Sequence, residues 1–399
     1  MTYHRTAPRA GAVIPLVAIL VVFLLGMVAF GVDLGYIAVT QKEMQNAADA
    51  SAMAGCSQLV DRNALKGLGN QSVRILYARE SAQYFSSQNT GGGVALRLDS
   101  NVANDPGGDI VVGRIDDPTS FTSQLDTTPT KKFNSVRTRV RRDASKNGSL
   151  RLFFGSLLGH SNQDLAATAT ATLEDNVNGF QMRPGKSLPC SLIPFTIDVH
   201  LWTNAPTDPW YDATQPPGIV QGTGSDDWTY NPTNRSYAAG SDGIHEINLY
   251  PTKGNSPGNF GTLNLGQANN GTSILERQIL NGPNADDLSA FPNNTIALGS
   301  DGTLTLPGNP GISAGFKDDL AAIRGQPRTF PLYISVSGQG ANTQYTIVAF
   351  AGLTILDVDL TGNNKHVTVQ PEFVMDPTAV GHGNQNTSFF VTKPLKLTR

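Results

Sequence analysis

A long apolar segment near the start of this 399-residue chain limits what the rest of it can be. From Gly11 to Val32 no residue carries a charge, and most are aliphatic or aromatic. A helix of about 20 such residues matches the hydrocarbon thickness of a bilayer. Arg5 and Arg9 precede the segment, and Asp33 follows it. Because basic residues tend to stay on the cytoplasmic side, we expect a single-pass anchor in the inner (cytoplasmic) membrane. The N-terminus would lie inside and the bulk of the chain in the periplasmic or extracytoplasmic space.

A cleaved signal peptide is the alternative to a retained anchor. Ala29, Phe30 and Gly31 form a small-x-small triplet of the kind that signal peptidases cut. The apolar segment is, however, longer than the usual signal-peptide core of about 7–15 residues. The helical pattern also continues past its end without a break. We therefore predict that the segment is retained as a signal-anchor.

Past Asp33 the sequence predicts that the same helix continues to about Leu59. One face repeats every three or four positions, through Leu34, Ile37, Gln41, Met44, Ala48 and Ala52. Residues 47–55 are mostly alanine, glycine and serine, so this part of the helix is thin and lets another helix approach closely. We predict that the thin face contacts a helix of another molecule, either a second copy or a partner protein. The alternative is that it packs within the chain, against a second helix near residues 73–85.

The rest of the chain favours β-structure. It contains 41 glycines and 24 prolines, a composition that favours turns over long helices. Apolar or alternating segments predict strands at residues 94–98, 110–113, 136–140, 150–154, 166–173, 192–199, 243–250, 303–306, 330–336, 345–356 and 365–374. Residues 361–364 suit a hairpin turn, and short helices are expected near residues 273–280 and 314–323. The predicted class is α+β: a long N-terminal transmembrane and extended helix, then a mainly antiparallel β extracytoplasmic region.

Three units are expected along the chain, at residues 1–60, 61–175 and 176–399. The first is the anchor and extended helix, the second a helix plus β-structure, and the third a β-rich domain. A Pro-, Gly- and Asp-rich stretch near residues 204–234 predicts a long loop in the third unit. The two cysteines, Cys56 and Cys190, would be able to pair in an oxidising compartment. Cys56, however, lies among alanines on a predicted helix, where a free thiol packs as a small apolar group.

The charge pattern argues against a nucleic-acid partner. The formal net charge is −3. Arginines cluster at positions 137, 139, 141 and 142, but no aromatic platform for bases accompanies them. Alternating arginines fit the solvated face of an edge strand, and we expect that arrangement here.

One catalytic pattern needs to be weighed, the G-x-S-x-G sequence at residues 311–315 with Ser313 as the nucleophile. Acid and base partners follow in the chain order of an α/β-hydrolase: Asp357 or Asp359, then His366 or His382. A nucleophile elbow needs a strand that runs directly into the serine, whereas Pro-Gly-Asn-Pro at residues 307–310 is expected to break the chain. Ser313 fits better as the N-cap of a short helix. We predict no enzyme activity; an envelope serine hydrolase is the remote alternative.

No metal, cofactor or ligand site is predicted either. The candidate metal ligands, His245, Glu246, His366 and His382, share no ligand spacing. Aromatic residues concentrate in one loop-rich stretch, at Trp202, Trp210, Tyr211, Trp228 and Tyr230. Exposed there, they would suit a carbohydrate or a partner protein. We expect them instead to pack the loop onto the sheets, because tryptophan is usually mostly buried.

The N-terminal sequence resembles a known family. A basic start and the apolar helix are followed by Val32-Asp33-Leu34-Gly35-Tyr36 and then by Gln45-Asn46-Ala47-Ala48-Asp49-Ala50. This order resembles Tad-type pilus-assembly proteins, and more closely the TadG-like members that accompany tight-adherence (Flp) pili. Residues 135–140, 152–159 and 166–171 are similar to the extracytoplasmic segment often found in these proteins.

The resemblance implies a membrane-anchored, non-enzymatic part of the pilus-assembly apparatus or cell envelope. Its partners would be the membrane, through residues 11–32, and other pilus-assembly or pilin-like proteins, with a homo-oligomer as a further option. The chain departs from the pilins of that system, which carry Glu at the fifth position after their cleavage site; counted from Gly11, that position is Leu16. Polymerisation into the fibre is therefore not expected. A surface adhesin or binding module that uses the C-terminal β domain is the alternative function.

Overall fold

The computed structural model describes residues 13–120, 122–186, 188–231, 233–234, 236–249, 260–266, 271–310, 313–361, 365–381 and 387–398. The α-helices of the described residues are α1 Val13–Ser57, α2 Gln71–Ser87, α3 Val199–Trp202, α4 Thr272–Asn281 and α5 Lys317–Ala322.

The strands alternate with short 3-10 turns through the rest of the chain. The first nine are β1 Thr90–Gly91, β2 Val94–Ala95, β3 Ile110–Gly113, β4 Ser135–Arg142, β5 Leu150–Arg151, β6 Asn162–Gln163, β7 Leu165–Thr172, β8 Gly179–Gln181 and β9 Phe195–Asp198. They continue as β10 Trp228–Asn231, β11 Ser236–Ala239, β12 Ile247–Asn248, β13 Phe260–Leu263, β14 Thr295–Ala297, β15 Leu304–Pro310 and β16 Pro327–Ser337. The last are β17 Thr343–Asp359, β18 His366–Pro371, β19 Val374–Met375, β20 Ala379–Val380, β21 Ser388–Phe389, β22 Val391–Thr392 and β23 Lys396–Thr398. The predicted α+β class, a long apolar helix before a mainly antiparallel β region, is confirmed.

Helix α1 is one continuous element of 45 residues, about 68 Å long at 1.5 Å per residue. Nearly all side chains from Val13 to Val32 are exposed, whereas one face of the helix is buried from Asp33 onward. Among the described residues, one helix is long and apolar enough to cross a membrane, with a mean hydropathy of 3.0 over its most apolar window. The apolar half of α1 therefore indicates a single-pass membrane anchor.

The thin face of α1 is buried inside the chain. Ala47, Ala48 and Ala52 are 0% exposed. They belong to one apolar cluster with Ala78 and Ala82 of α2 and with the inward side chains of β4 and β7. The prediction that this face contacts another molecule is therefore wrong, and the alternative of packing against the second helix is confirmed. The physical reason is that the sheet and α2 approach this face of the helix closely enough to bury Ala47, Ala48 and Ala52.

Four antiparallel strands form the sheet of this N-terminal core, in the order β23-β7-β4-β3. Strand β4 pairs on both sides, so the expectation of an arginine-bearing edge strand is wrong. Two of its arginines are held locally instead. Arg141 Nε donates to Asp109 Oδ1 at 2.8 Å, and the buried Arg142 donates from Nη1 to the Gly91 carbonyl at 2.8 Å. Arg139 is exposed.

The C-terminal half is organised around the long strand β17. It pairs antiparallel with β15, β16 and β18. Strand β16 also pairs in parallel with β9, β9 with β13, and β13 with β15. These pairings close five strands, β17-β15-β13-β9-β16, into a ring. Two apolar clusters fill this half, and the larger one is covered by α3, α4 and α5.

Several predicted segments differ from the structure. Residues 96–98 and 152–154 are not strands, and the short helices are confirmed as α4 and a 3-10 turn followed by α5. The expected chain break at residues 307–310 is wrong, because β15 runs through both prolines. Proline removes a donor but keeps its carbonyl, and the Pro307 oxygen accepts from the Asn264 N–H at 2.8 Å. The predicted hairpin turn lies mostly outside the described residues; the strands on either side of it, β17 and β18, pair antiparallel.

The end of the chain returns to its beginning. Strand β23 adds to the edge of the N-terminal sheet, where Leu397 is opposite Ala171 of β7. The N-terminal core thus contains residues from both ends of the chain. The division into units at residues 1–60, 61–175 and 176–399 stays a prediction.

Candidate functional site

Three side chains of α1, just past the apolar segment, attach the helix to the rest of the chain. We call Asp33, Tyr36 and Glu43 the junction residues. Asp33 is 6% exposed and its carboxylate accepts the backbone N–H groups of Phe153, at 2.8 Å, and Phe154, at 3.0 Å. These amides precede the 3-10 helix Gly155–Leu158, whose first N–H groups have no partner within the turn. Asp33, the first charged residue after the apolar segment, therefore supplies the hydrogen-bond acceptor for two N–H groups of this loop.

Tyr36 and Glu43 hold a second loop, the turn between β1 and β2. Tyr36 donates from its hydroxyl to the Gly92 carbonyl at 3.2 Å, and its ring lies 4.9 Å from the ring of Phe153. Glu43 accepts the Gly92 N–H at 2.7 Å. Gly92 has φ +57°, and a Cβ there would lie 2.7 Å from a methyl carbon of Leu150, so glycine is required at this close approach. Both loops are thus tied to the helix within three turns of the apolar segment.

The arrangement follows from helical spacing. Residues 33, 36 and 43 are three and seven positions apart, so their side chains project from one face of α1. Asp33 and Tyr36 are part of the sequence pattern that carries the family resemblance, but the local sequence does not predict their structural role. A signal was available, because an acidic residue directly after a membrane segment needs a partner or water. The partner itself is about 120 residues away and was not visible in the local pattern.

A second set of polar contacts joins the two halves of the chain. Glu174 is 2% exposed and accepts from Lys393 Nζ at 2.7 Å, and it also pairs with Lys396 of β23. Burial opposes ionisation of Glu174, but the hydrogen bonds and charges of the two lysines outweigh it and lower the pKa of the carboxyl. Arg62 pairs with Glu372 at 2.9 Å on the other side of the same joint.

The residues of the hydrolase pattern have ordinary structural roles. Ser313 is exposed and accepts the Gly315 N–H at 3.2 Å, the N-cap that the sequence predicts. His366 lies on β18 with Nε2 at 2.8 Å from Asp357 Oδ2, on the neighbouring strand β17. Asp359 accepts from Lys317 Nζ at 3.0 Å, and the pKa of its carboxyl is lowered by a backbone hydrogen bond from Thr361 and by this lysine. Residues 311, 312 and His382 lie outside the described residues. Strand β15, which precedes Ser313 in the chain, pairs antiparallel with both of its neighbours, β13 and β17, whereas a hydrolase nucleophile follows a strand of a parallel sheet.

One of the candidate metal ligands, Glu246, is used in loop packing. Glu246 is 1% exposed and accepts from Asp227 N–H at 2.9 Å and Trp228 N–H at 3.1 Å, and burial raises the pKa of its carboxyl. Among the residues that the structure describes, no group of three or more His, Cys, Asp or Glu side chains is placed to hold a metal ion.

The tryptophan-rich stretch packs against the C-terminal core. Trp202 is 0% exposed, and its ring lies 6.0 Å from the rings of Phe389 and Phe390. Trp210 is partly buried, 6.3 Å from Phe389. The Asn204 side chain donates to three carbonyls of the loop, those of Asp212, Gln215 and Pro216. The packing expected for these two tryptophans is confirmed, and the fully buried Trp202 is not available to a carbohydrate.

The two cysteines are free thiols in separate cores. Cys56 is 0% exposed in the N-terminal core and Cys190 is 3% exposed in the smaller C-terminal one. Burial raises the pKa of Cys56 to about 12 and raises that of Cys190 as well. The packed free thiol favoured for Cys56 is confirmed.

Comparison with known proteins finds two family models that match the N-terminal part of the chain. Residues 11–60 match the family model described as putative Flp pilus-assembly TadE/G-like, and residues 40–171 match the one described as putative Tad-like Flp pilus-assembly. The two matches cover the anchor helix, the junction residues and most of the N-terminal core. No curated protein and no solved structure matches the chain. The resemblance to Tad-type proteins is confirmed.

Proposed function

We propose that this Tad-type pilus-assembly protein is a non-enzymatic component of the Tad/Flp apparatus, retained in the cytoplasmic membrane and acting through protein contacts. The continuity of α1 is the main support. Its first half is exposed and apolar, and its second half is part of the ectodomain core. The junction residues leave no free hinge between the two. A partner that contacts the anchor therefore contacts the same continuous helix that forms part of the N-terminal core.

The role of Ser313 as an N-cap and the burial of Trp202 support a structural role over hydrolysis or glycan binding. The orientation rests on Arg5 and Arg9 before the apolar segment and Asp33 after it, which favour an inside N-terminus. We therefore expect a full-length chain that resists carbonate extraction. In spheroplasts, added protease should degrade residues beyond the anchor. Recovery of a mature chain that starts at Val32 or Ala12 would contradict this.

We place the partner contact on the outer face of α2. Its inner face is buried through Ala78 and Ala82, whereas four large side chains point outward: Leu76 is 51% exposed, Tyr77 43%, Tyr84 60% and Phe85 44%. Aromatic residues are enriched at protein interfaces and cost little conformational entropy when they bind. An amphipathic or apolar helix of another pilus-assembly or pilin-like protein fits a helix face of this kind.

The test is site-specific photo-crosslinking in cells that assemble the pilus. A crosslinking amino acid at Tyr84 should give adducts with a pilus-assembly or pilin-like protein. The matched control is Met375, 58% exposed in the C-terminal half, which should not give the same adducts. Identical adducts at both positions, or adducts without any pilus component, would overturn the assignment of this face.

A further inference from the structure

The loop held by Asp33 exposes large apolar side chains. Within residues 152–159, Phe153 is 64% exposed, Phe154 39% and Leu157 82%. The backbone of the loop is ordered, since Asp33 accepts two of its N–H groups and residues Gly155–Leu158 form a 3-10 turn. An ordered loop that presents three large apolar side chains to solvent indicates a partner surface.

The position of Asp33 along α1 shows where this loop lies relative to the membrane. The 20 residues from Val13 to Val32 are about 30 Å long as a helix, the thickness of the hydrocarbon core. Asp33 therefore lies at the boundary on the ectodomain side of the membrane. Because Asp33 contacts the loop backbone directly, Phe153 and Phe154 lie at this same level. Phe30, 53% exposed and one turn earlier, continues the apolar surface into the anchor.

We propose that this loop inserts Phe153, Phe154 and Leu157 into the bilayer interface beside the anchor, on the ectodomain side. Aromatic side chains concentrate at this level of membrane proteins. Interfacial segments bury their apolar face about 5–10 Å deep in the headgroup and acyl boundary. The loop gives the ectodomain a second attachment to lipid, which fixes its tilt and rotation about the anchor.

Lipid is favoured over a protein occupant because the loop's apolar surface is continuous with the lipid-facing surface of α1. The Asp33 carboxylate and the Tyr36 ring hold the loop there in every copy, with no need for a second molecule. A protein occupant, such as a second copy, would instead cover the loop only when that molecule is present.

The test uses the full-length chain in lipid nanodiscs that contain one copy each, made of phosphatidylethanolamine and phosphatidylglycerol. Leu157→Cys is labelled with the environment-sensitive dye NBD, and nitroxide lipids serve as quenchers. Cys56 and Cys190 are too buried to compete for the label. Leu157 is mostly exposed, so the substitution should not affect folding.

Met375→Cys is the matched control, since Met375 is also an exposed apolar side chain. It follows Glu372 by three residues, and Glu372 pairs with Arg62, beyond the far end of α1. Asp33 and Ser57 are separated by about 36 Å along the helix, so this site lies well away from the bilayer.

The expected result is blue-shifted emission at position 157 and quenching that is several-fold stronger than at position 375. A nitroxide near the headgroup should quench more than one near the end of the acyl chain. Equal quenching at the two positions would overturn the proposal. So would a blue shift at position 157 that appears only in nanodiscs with two copies, since it would identify a second chain as the occupant.

Discussion

The two halves of the molecule build their cores from different materials. In the N-terminal core, alanines of α1 face alanines of β7, at positions 167, 169 and 171, and Thr138 Oγ1 donates to the Ala48 carbonyl at 2.8 Å. In the C-terminal half the largest buried side chains are aromatic, among them Trp202, Phe330 and Phe350. The first core depends on close backbone approach, and the second on the apolar area that large rings bury. Larger side chains should therefore destabilise the N-terminal core, whereas smaller side chains should destabilise the C-terminal half.

The largest effect is expected when a ring is removed from the C-terminal half. Phe350 is 1% exposed and packs edge-to-face against Phe180 at 5.2 Å. Phe350→Ala should lower the free energy of unfolding of that half by about 3–5 kcal/mol. Urea titration of the full chain in detergent measures this. The control, Phe85→Ala on the exposed face of α2, should change stability little, and similar losses in both would contradict the assigned packing.

In the N-terminal core, the damaging change should be the enlargement of a buried alanine side chain. Ala48→Leu adds three carbons where no space remains, at a cost of about 1–3 kcal/mol. Ala38→Leu makes the same change at an exposed position of the same helix and should be nearly neutral. Limited proteolysis and urea titration of the two variants provide the comparison. If both behave like the wild type, the thin face is not the buried one.

Removal of the Asp33 acceptor tests the connection between anchor and ectodomain. Asp33→Ala leaves the N–H groups of Phe153 and Phe154 without their partner, which costs about 1–3 kcal/mol if they stay buried. Hydrogen exchange should speed up at residues 153–159 while the C-terminal half is unaffected. Unchanged exchange in this loop would show that the contact does not order it.

The joint between the halves should be sensitive to acid. The pKa of Glu174 is lowered in the folded protein, so its carboxylate binds fewer protons there than in the unfolded chain. Its contribution to stability is present above the ordinary glutamate pKa of about 4.3, and it is lost as the pH falls through the lower folded value. In Glu174→Gln, the free energy of unfolding should therefore decrease less over this pH range than it does in the wild type. Glu80→Gln, at an exposed position, should behave like the wild type. The measurement is the free energy of unfolding as a function of pH, and parallel curves for the wild type and Glu174→Gln would contradict the paired carboxylate.

The smallest effect is expected at Ser313. Ser313→Ala removes one N-cap hydrogen bond at an exposed position and should cost at most about 1 kcal/mol. Pilus assembly should be intact in the variant. Lost function in a stably folded Ser313→Ala protein would revive the hydrolase hypothesis.

Local patterns in the sequence determined a large part of this structure. An apolar run and a repeat of three to four residues were enough for α1 and α2, and alternating or continuously apolar segments were enough for β3, β4, β7 and β17. Residue size showed that the α1 face is thin. These features are set by a few neighbouring residues, through helix and strand periodicity.

Only the tertiary structure decided which surfaces meet. The sequence predicted a thin face but not whether α2 or another molecule covers it. Alternating arginines suggested that β4 is an edge strand, because the sequence does not show that β4 pairs with β3 on one side and β7 on the other. Strand β15 continues through Pro307 because its carbonyl still finds a donor on another segment. Asp33 and Phe153 are 120 positions apart, and β23 joins a strand more than 220 positions earlier. Hydrogen bonds and burial depend on such distant partners, and no local pattern specifies them.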